Sequence, residues 1–110
     1  MDHSRRIRRV ILQVVELLKE RYQPERVILF GSWAYGEPSE ESDVDLLIVK
    51  ETKEPFHRRW AEVYQLVQPL VKGIDFSPFV MTPKEIAQRE RGHDPFLEEI
   101  LTRGQTLYAA

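Results

Sequence analysis

Apolar positions along this chain switch between helical and strand spacing, and the switches mark its elements. Ile7, Val10, Ile11, Val14, Val15, Leu18 and Tyr22 recur at helical spacing, which predicts an amphipathic helix over residues 4–22, with Pro24 just beyond it. Arg26-Val-Ile-Leu-Phe30 predicts a short strand stopped by Gly31. A loop or short helix follows, holding Gly36, Pro38 and several acids. Val44-Asp-Leu-Leu-Ile-Val49 then predicts a second strand, apolar enough along its length to be central in a sheet. Pro55 opens a helix with Phe56, Trp60, Val63, Tyr64 and Val67 on one face, and Pro69 closes it. The stretch GIDFSPFVM, Gly73 to Met81, predicts a third strand, in which Pro78 marks an edge position or a bulge. Thr82-Pro83-Lys84-Glu85 is a capping box that opens a short helix. Asp94-Pro95 opens a final one through about Thr102, with Gly104 just past its end. The order helix–strand–helix–strand–helix–strand–helix predicts one α/β (α+β) domain over residues 1–110, without repeats or linkers.

Composition narrows the class of protein rather than the fold. A chain of 110 residues with 42% hydrophobic and 31% charged content suits one modest core, with no room for a second lobe. No apolar run reaches membrane-spanning length, and the Arg-rich start lacks the apolar stretch of a signal peptide. The sequence has no cysteine, which removes disulfides, thiolate ligands and a Cys nucleophile and fits a cytoplasmic location. A net charge of −2 argues against broad electrostatic binding to nucleic acid, so any basic site is local.

The chemistry concentrates where the second strand begins. Asp43 and Asp45 are two residues apart, so strand alternation puts both side chains on one face with Cα atoms roughly 7 Å apart. Two converging anions repel unless a cation lies between them, and hard divalent ions such as Mg²⁺ take oxygen ligands. Asp75 holds the same position in the third strand, so a third carboxylate reaches this place if the two strands are neighbours. Three carboxylates around two Mg²⁺ ions suit in-line displacement at phosphorus. Gly31 and Ser32 end the first strand at a turn where free backbone N–H groups and a hydroxyl can hold anionic oxygens. Each feature also has a plain reading: a strand-entry turn, a loop, a solvent-facing edge acid. Their conjunction in one small sheet is what points to a metal–phosphate site.

Gly31-Ser32, ten residues, then Asp43-x-Asp45 resembles the signature of the DNA polymerase beta nucleotidyltransferase superfamily. The stretches RVILFGS, SDVDLLIV, GIDFSPFV and FLEEILTRGQTLY extend the likeness over nearly the whole chain. The chain most resembles the minimal nucleotidyltransferases, small prokaryotic proteins found as antitoxins beside HEPN-domain toxins. The resemblance implies a small mixed sheet flanked by helices and transfer of a nucleoside monophosphate from an NTP to a hydroxyl, with release of pyrophosphate. It implies that Asp43 and Asp45 ligate two Mg²⁺ ions, and that Asp75 binds one of them or acts as the base. Gly31 and Ser32 would hold the β- and γ-phosphates. In antitoxin members the donor is ATP, and the acceptor is a tyrosine of the partner toxin. A basic residue common in relatives is replaced here by Tyr35, so a phosphate contact is lost or exchanged for stacking. That departure leaves open an inactive NTP-binding module that neutralises its partner by stable contact. With no second lobe to hold an acceptor, a homo- or hetero-oligomeric complex is expected.

Other residues carry weaker signals. Trp33 is expected to pack under the turn, whereas for Tyr35 a role in stacking on a base or in a partner interface is balanced evenly against plain packing. Arg5, Arg6, Arg8 and Arg9 oppose the dipole at a helix start, and are read as a solvated end in preference to a site for an acidic partner or nucleic acid. His93 is expected in a turn. Trp60 and Tyr64 fit core spacing.

Overall fold

The computed structural model describes residues 3–39 and 42–110. The elements are α1 (His3–Arg21), β1 (Arg26–Phe30), α2 (Ser32–Tyr35), β2 (Val44–Val49), α3 (Phe56–Val67), β3 (Phe76–Met81), α4 (Pro83–Arg91), α5 (Pro95–Arg103) and β4 (Gln105–Ala109). The strands form one mixed sheet in the order β3-β2-β1-β4. β2 and β3 run parallel through the connection containing α3, while β1 is antiparallel to both β2 and β4. The apolar β2 is thus interior, and the Pro78 strand lies at an edge. Of the two forms expected after Gly31, the chain adopts the short helix, α2. The strand β4 is an addition to the expected order.

Strand alternation divides the core in two. Val27, Leu29, Val44, Leu46, Ile48 and Val80 point to one face, where Ile7, Ile11, Val14, Val15 and Leu18 of α1 and Val63 and Val67 of α3 cover them. Ile28, Phe30, Leu47, Val49 and Met81 point to the other, under Ile86 of α4 and Leu97 and Ile100 of α5. Helices on both faces explain why β1 and β2 are apolar at nearly every position rather than at alternate ones. Trp60 departs from expectation. It is 48% exposed and stacks on Tyr64 with ring centroids 4.8 Å apart, so the apolar stripe at the start of α3 runs past the core edge.

The β3 edge is closed to further pairing by local chemistry. Val44 N–H donates to Asp75 C=O at 2.8 Å and Lys50 N–H to Met81 C=O at 3.0 Å, so odd-numbered carbonyls of this segment face β2 and even-numbered ones face outward. Of the outward groups, Pro78 has no N–H, and the Val80 carbonyl accepts from Arg59 Nη1 at 3.1 Å. Arg59 is buried; it also donates to the Glu54 carbonyl at 2.6 Å and forks onto Glu85 at 2.8 and 3.1 Å. Glu85 is the same residue that completes the Thr82 capping box at the start of α4. One guanidinium therefore ties α3, the outer edge of β3 and α4 together, and blunts the edge against a foreign strand.

Candidate active site

The site lies where β1 ends and β2 begins. In the antiparallel register Phe30 faces Asp45, so the end of β1 and the second carboxylate of β2 are side by side on the α5 face of the sheet. Gly31 follows with φ 74° and ψ −157°, a backbone region open in practice to glycine alone. The same glycine is demanded a second time by packing. A Cβ built on Gly31 would collide with Oδ2 of Asp45, so the carboxylate rests directly over the Gly31 Cα. Ser32 then starts α2, whose helical bonds begin with Ala34 N–H and Tyr35 N–H, both to the Gly31 carbonyl at 3.0 and 3.1 Å. In a helix the N–H groups of the first turn precede those bonds and face outward, here beside Asp45.

Asp45 is half-buried while Asp43, just before β2, is exposed. Burial pushes the Asp45 carboxyl up to about 6, and the Asp43 charge adds to the rise. An acid pushed up by burial and by a second acid is a donor set that a hard divalent cation satisfies, because the cation favours both ionised forms at once. Among the described residues no group of three Asp, Glu, His or Cys side chains is placed to hold a metal ion. A cation held by Asp43 and Asp45 would complete its shell with water or with the oxygens of a phosphate ligand.

The sequence-predicted residues do not all converge equally. Gly31, Ser32 and Asp45 are in one cluster, and Asp43 is close enough to act on Asp45 electrostatically. Asp75 sits one residue before β3, where its carbonyl binds Val44 N–H, so the register carried back one step places it alongside Asp43. Its exposed side chain borders a shallow depression with Tyr64, Gln68 and Lys72. Trp33 packs under the turn as expected: it is 3% exposed, its indole N–H donates to the Ser42 carbonyl at 3.3 Å, and Arg8 lies over its ring at 5.2 Å. Arg8 also donates to the Trp33 carbonyl at 3.3 Å, so one member of the arginine cluster buttresses α2. His93 is a turn residue with φ 53°.

Two residues join the site that sequence patterning does not reveal. The Tyr35 hydroxyl donates to Glu99 Oε1 at 3.0 Å, and the Arg103 guanidinium lies 4.3 Å from the centre of the Tyr35 ring. Both come from α5, 64 or more residues away. Partial burial raises the Tyr35 hydroxyl's pKa, a hydrogen bond from the Gly31 backbone opposes the rise, and Glu99 adds to it. Tyr35 itself is tied to the turn through its backbone N–H, which donates to the Gly31 carbonyl at 3.1 Å. On the far side of Phe30, its ring meets Phe79 at 5.8 Å and Phe96 at 5.7 Å. Beyond them lies an apolar cleft of about 400 Å³ that Trp60 and Phe56 also border.

A half-buried carboxylate over a glycine turn, with a second acid beside it, is the candidate site on this mixed α/β sheet, and its chemistry suits phosphate transfer. Comparison with known proteins gives the family. The model of the nucleotidyltransferase domain family matches residues 11–104. A Methanocaldococcus jannaschii protein named "Putative protein adenylyltransferase" is 29% identical over 93 residues, covering 84% of this chain and 85% of that protein. A second protein of that organism bearing the same name is 46% identical over 43 residues, or 37% of this chain and 43% of its own length. The crystal structure of a protein from Sulfolobus solfataricus, described as a putative nucleotidyltransferase, superposes with a TM-score of 0.58 over 94% of this chain and 83% of the other, at 19% identity, and shares the fold. The chain belongs to the nucleotidyltransferase family, and its features fit the minimal branch of that family.

Proposed function

We propose that this nucleotidyltransferase is a protein adenylyltransferase that uses ATP and Mg²⁺ to modify a hydroxyl, in the first instance a tyrosine, of a HEPN-domain toxin, and so acts as an antitoxin in the cytoplasm. The observation that supports the reading is the Asp45 carboxylate seated over Gly31, which sets the proposed cation ligand against the proposed phosphate-binding turn. The names of the similar archaeal proteins support adenylyl transfer to protein. The association with a HEPN toxin rests on the resemblance to minimal nucleotidyltransferases.

In this mechanism the Gly31–Ser32 turn holds the terminal phosphates, and the close approach permitted by Gly31 brings the α-phosphorus near the carboxylates. Asp43 and Asp45 would hold two Mg²⁺ ions, which supply charge neutralisation on the leaving pyrophosphate and favour the ionised acceptor hydroxyl. The acceptor oxygen forms a bond to the α-phosphorus, the bond from that phosphorus to the bridging oxygen breaks, and pyrophosphate departs. The hydroxyl proton passes to a carboxylate, with Asp75 at the end of the neighbouring strand the proposed base or additional metal ligand. In this reading the partner protein furnishes both the acceptor hydroxyl and the surface that presents it.

The test is incubation with labelled ATP, Mg²⁺ and the HEPN-domain partner, with mass spectrometry of the partner. An AMP adduct on a tyrosine is expected, falling by more than about a hundredfold in Asp43→Ala and in Asp45→Ala. Undiminished transfer in both variants, or no adduct with the native protein, would overturn the proposal. Neutralisation of the toxin without transfer would instead favour the stable-binding module.

A further inference from the structure

The Gly31–Ser32 turn has no basic side chain of its own: the residues after it are Trp33, Ala34, Tyr35 and Gly36. The acids around it are Asp43, Asp45 and, through Tyr35, Glu99. A nucleoside triphosphate arriving here would meet an excess of negative charge. Two arginines contact α2: Arg8, engaged with the carbonyl and ring of Trp33, and Arg103, the last residue of α5, which lies over Tyr35.

Three independent features fix Arg103 beside the turn. Its guanidinium lies 4.3 Å from the Tyr35 ring centre, and the Tyr35 backbone N–H donates to the Gly31 carbonyl at 3.1 Å. The next residue, Gly104, is pressed onto β1: a Cβ there would strike the Ile100 carbonyl and the Ile28 side chain and lie 3.1 Å from the Leu29 carbonyl, two residues before Gly31. The Gly104 N–H also donates to the Ile100 carbonyl at 2.8 Å, which ends α5 at this spot. The helix therefore delivers Arg103 to the end of β1 with little freedom in its backbone.

The guanidinium is held but not consumed. Among the described residues its ion-pair partner is Glu99, at a long 4.0 Å, and the Arg103 side chain is 56% exposed. Stacking on a ring occupies the face of a guanidinium and leaves its edge N–H donors directed outward, the geometry suited to a forked contact with phosphate oxygens. Glu99 serves two neighbours: it accepts from the Tyr35 hydroxyl and draws Arg103 along the same helix face, four residues on.

We propose that Arg103 is a substrate-contacting residue that binds the pyrophosphate part of the donor nucleoside triphosphate, with Tyr35 and Glu99 as positioning residues that hold its guanidinium at the Gly31–Ser32 turn. This rests on the functional reading above and adds a cation supplied by the C-terminal helix. The Tyr35 ring is then the platform on which the distant arginine is set. The basic function is moved to α5, and the tyrosine in the turn is compatible with nucleotide binding.

The test is titration calorimetry of the native protein, Arg103→Ala, Arg103→Lys and Tyr35→Ala with ATP and with AMP, each in the presence of Mg²⁺, with circular dichroism to check folding. Removal of a charge-assisted forked contact predicts ATP binding weakened about tenfold or more in Arg103→Ala, with AMP binding within about twofold of native. Arg103→Lys is expected to be intermediate, because a lysine keeps the charge but loses the fork and the stacking. Tyr35→Ala, which leaves Arg103 intact but removes its platform, is expected to weaken ATP selectively in the same way. Native-like ATP affinity in Arg103→Ala, or equal losses for ATP and AMP, would overturn the proposal. A native protein that binds ATP in this pattern yet transfers no AMP would remove the functional reading and leave this inference standing, whereas failure of the native protein to bind ATP would end both.

Discussion

Two charged groups lie against the same sheet and are treated in opposite ways. Arg59, at the outer edge of β3, is buried among matching acceptors: the Glu85 carboxylate and the carbonyls of Glu54 and Val80. The Glu85 carboxyl is held below the usual carboxylate range by Arg59 hydrogen bonds, as a matched pair should be. Asp45, at the mouth of β2, is half-buried beside another acid and rests over a glycine, and its carboxyl is pushed up to about 6. The first arrangement is complete within the chain and holds elements together. The second is left opposed within the chain, the setting in which the proposed cation and phosphate would bind. Charge that the fold satisfies marks architecture, and charge that it leaves opposed marks the site.

This contrast breaks in a predictable order. Arg59→Ala should have the largest effect on stability, about 3 kcal/mol by urea unfolding, because it strands Glu85 and uncaps the Val80 carbonyl. A loss under about 1 kcal/mol would place Arg59 with ordinary surface ion pairs. Gly31→Ala is next. The glycine-only backbone and the collision with Asp45 predict a loss of about 1–3 kcal/mol together with lost ATP binding. Native ATP affinity in that variant would show that the turn does not seat the nucleotide.

Asp45→Asn should act on the fold in the opposite sense. A carboxyl whose pKa is raised in the folded state binds more protons folded than unfolded between about pH 4 and pH 6, so native stability falls as pH rises through that window. The amide lacks this penalty. The variant is therefore expected to be the more stable at pH 7.5, with the advantage shrinking toward zero near pH 4 in thermal melts. An advantage that does not change with pH would assign it to packing instead.

The fold was largely legible because its periods are strong. The α1 stripe, the two continuous apolar strands and the Thr82 capping box each carry a local rule that tertiary contacts reinforce. The β4 strand was not legible: Gln105-Thr-Leu-Tyr-Ala109 is short, mostly exposed and has little alternation, and pairing with β1 is what makes it a strand. Trp60 kept helical spacing yet left the core, since periodicity fixes a direction around the helix and not where the neighbouring sheet ends. At the site, Gly31, Ser32, Asp43 and Asp45 lie within fifteen residues, so spacing could group them. Glu99 and Arg103 reach Tyr35 only through the packing of α5, and Arg59 looks in sequence like any arginine of an exposed helix face. The signal for α5 was present but indirect, in Gly104 just after the helix, whose packing on β1 sets Arg103 in place.

If the opposed carboxylates at the mouth of β2 form a cation-dependent nucleotide site, ligand and substitution must act on stability together. Thermal unfolding of the native protein and of Asp45→Asn at pH 7.5, each with and without Mg²⁺ and ATP together, measures this coupling, since a ligand that binds the folded state raises the melting temperature by mass action. Asp45→Asn is expected to melt above the native protein when both are unliganded. Mg²⁺ with ATP is expected to raise the native melting temperature while leaving the variant's unchanged. An equal rise in both proteins, or no rise in the native one, would contradict a site built on Asp45.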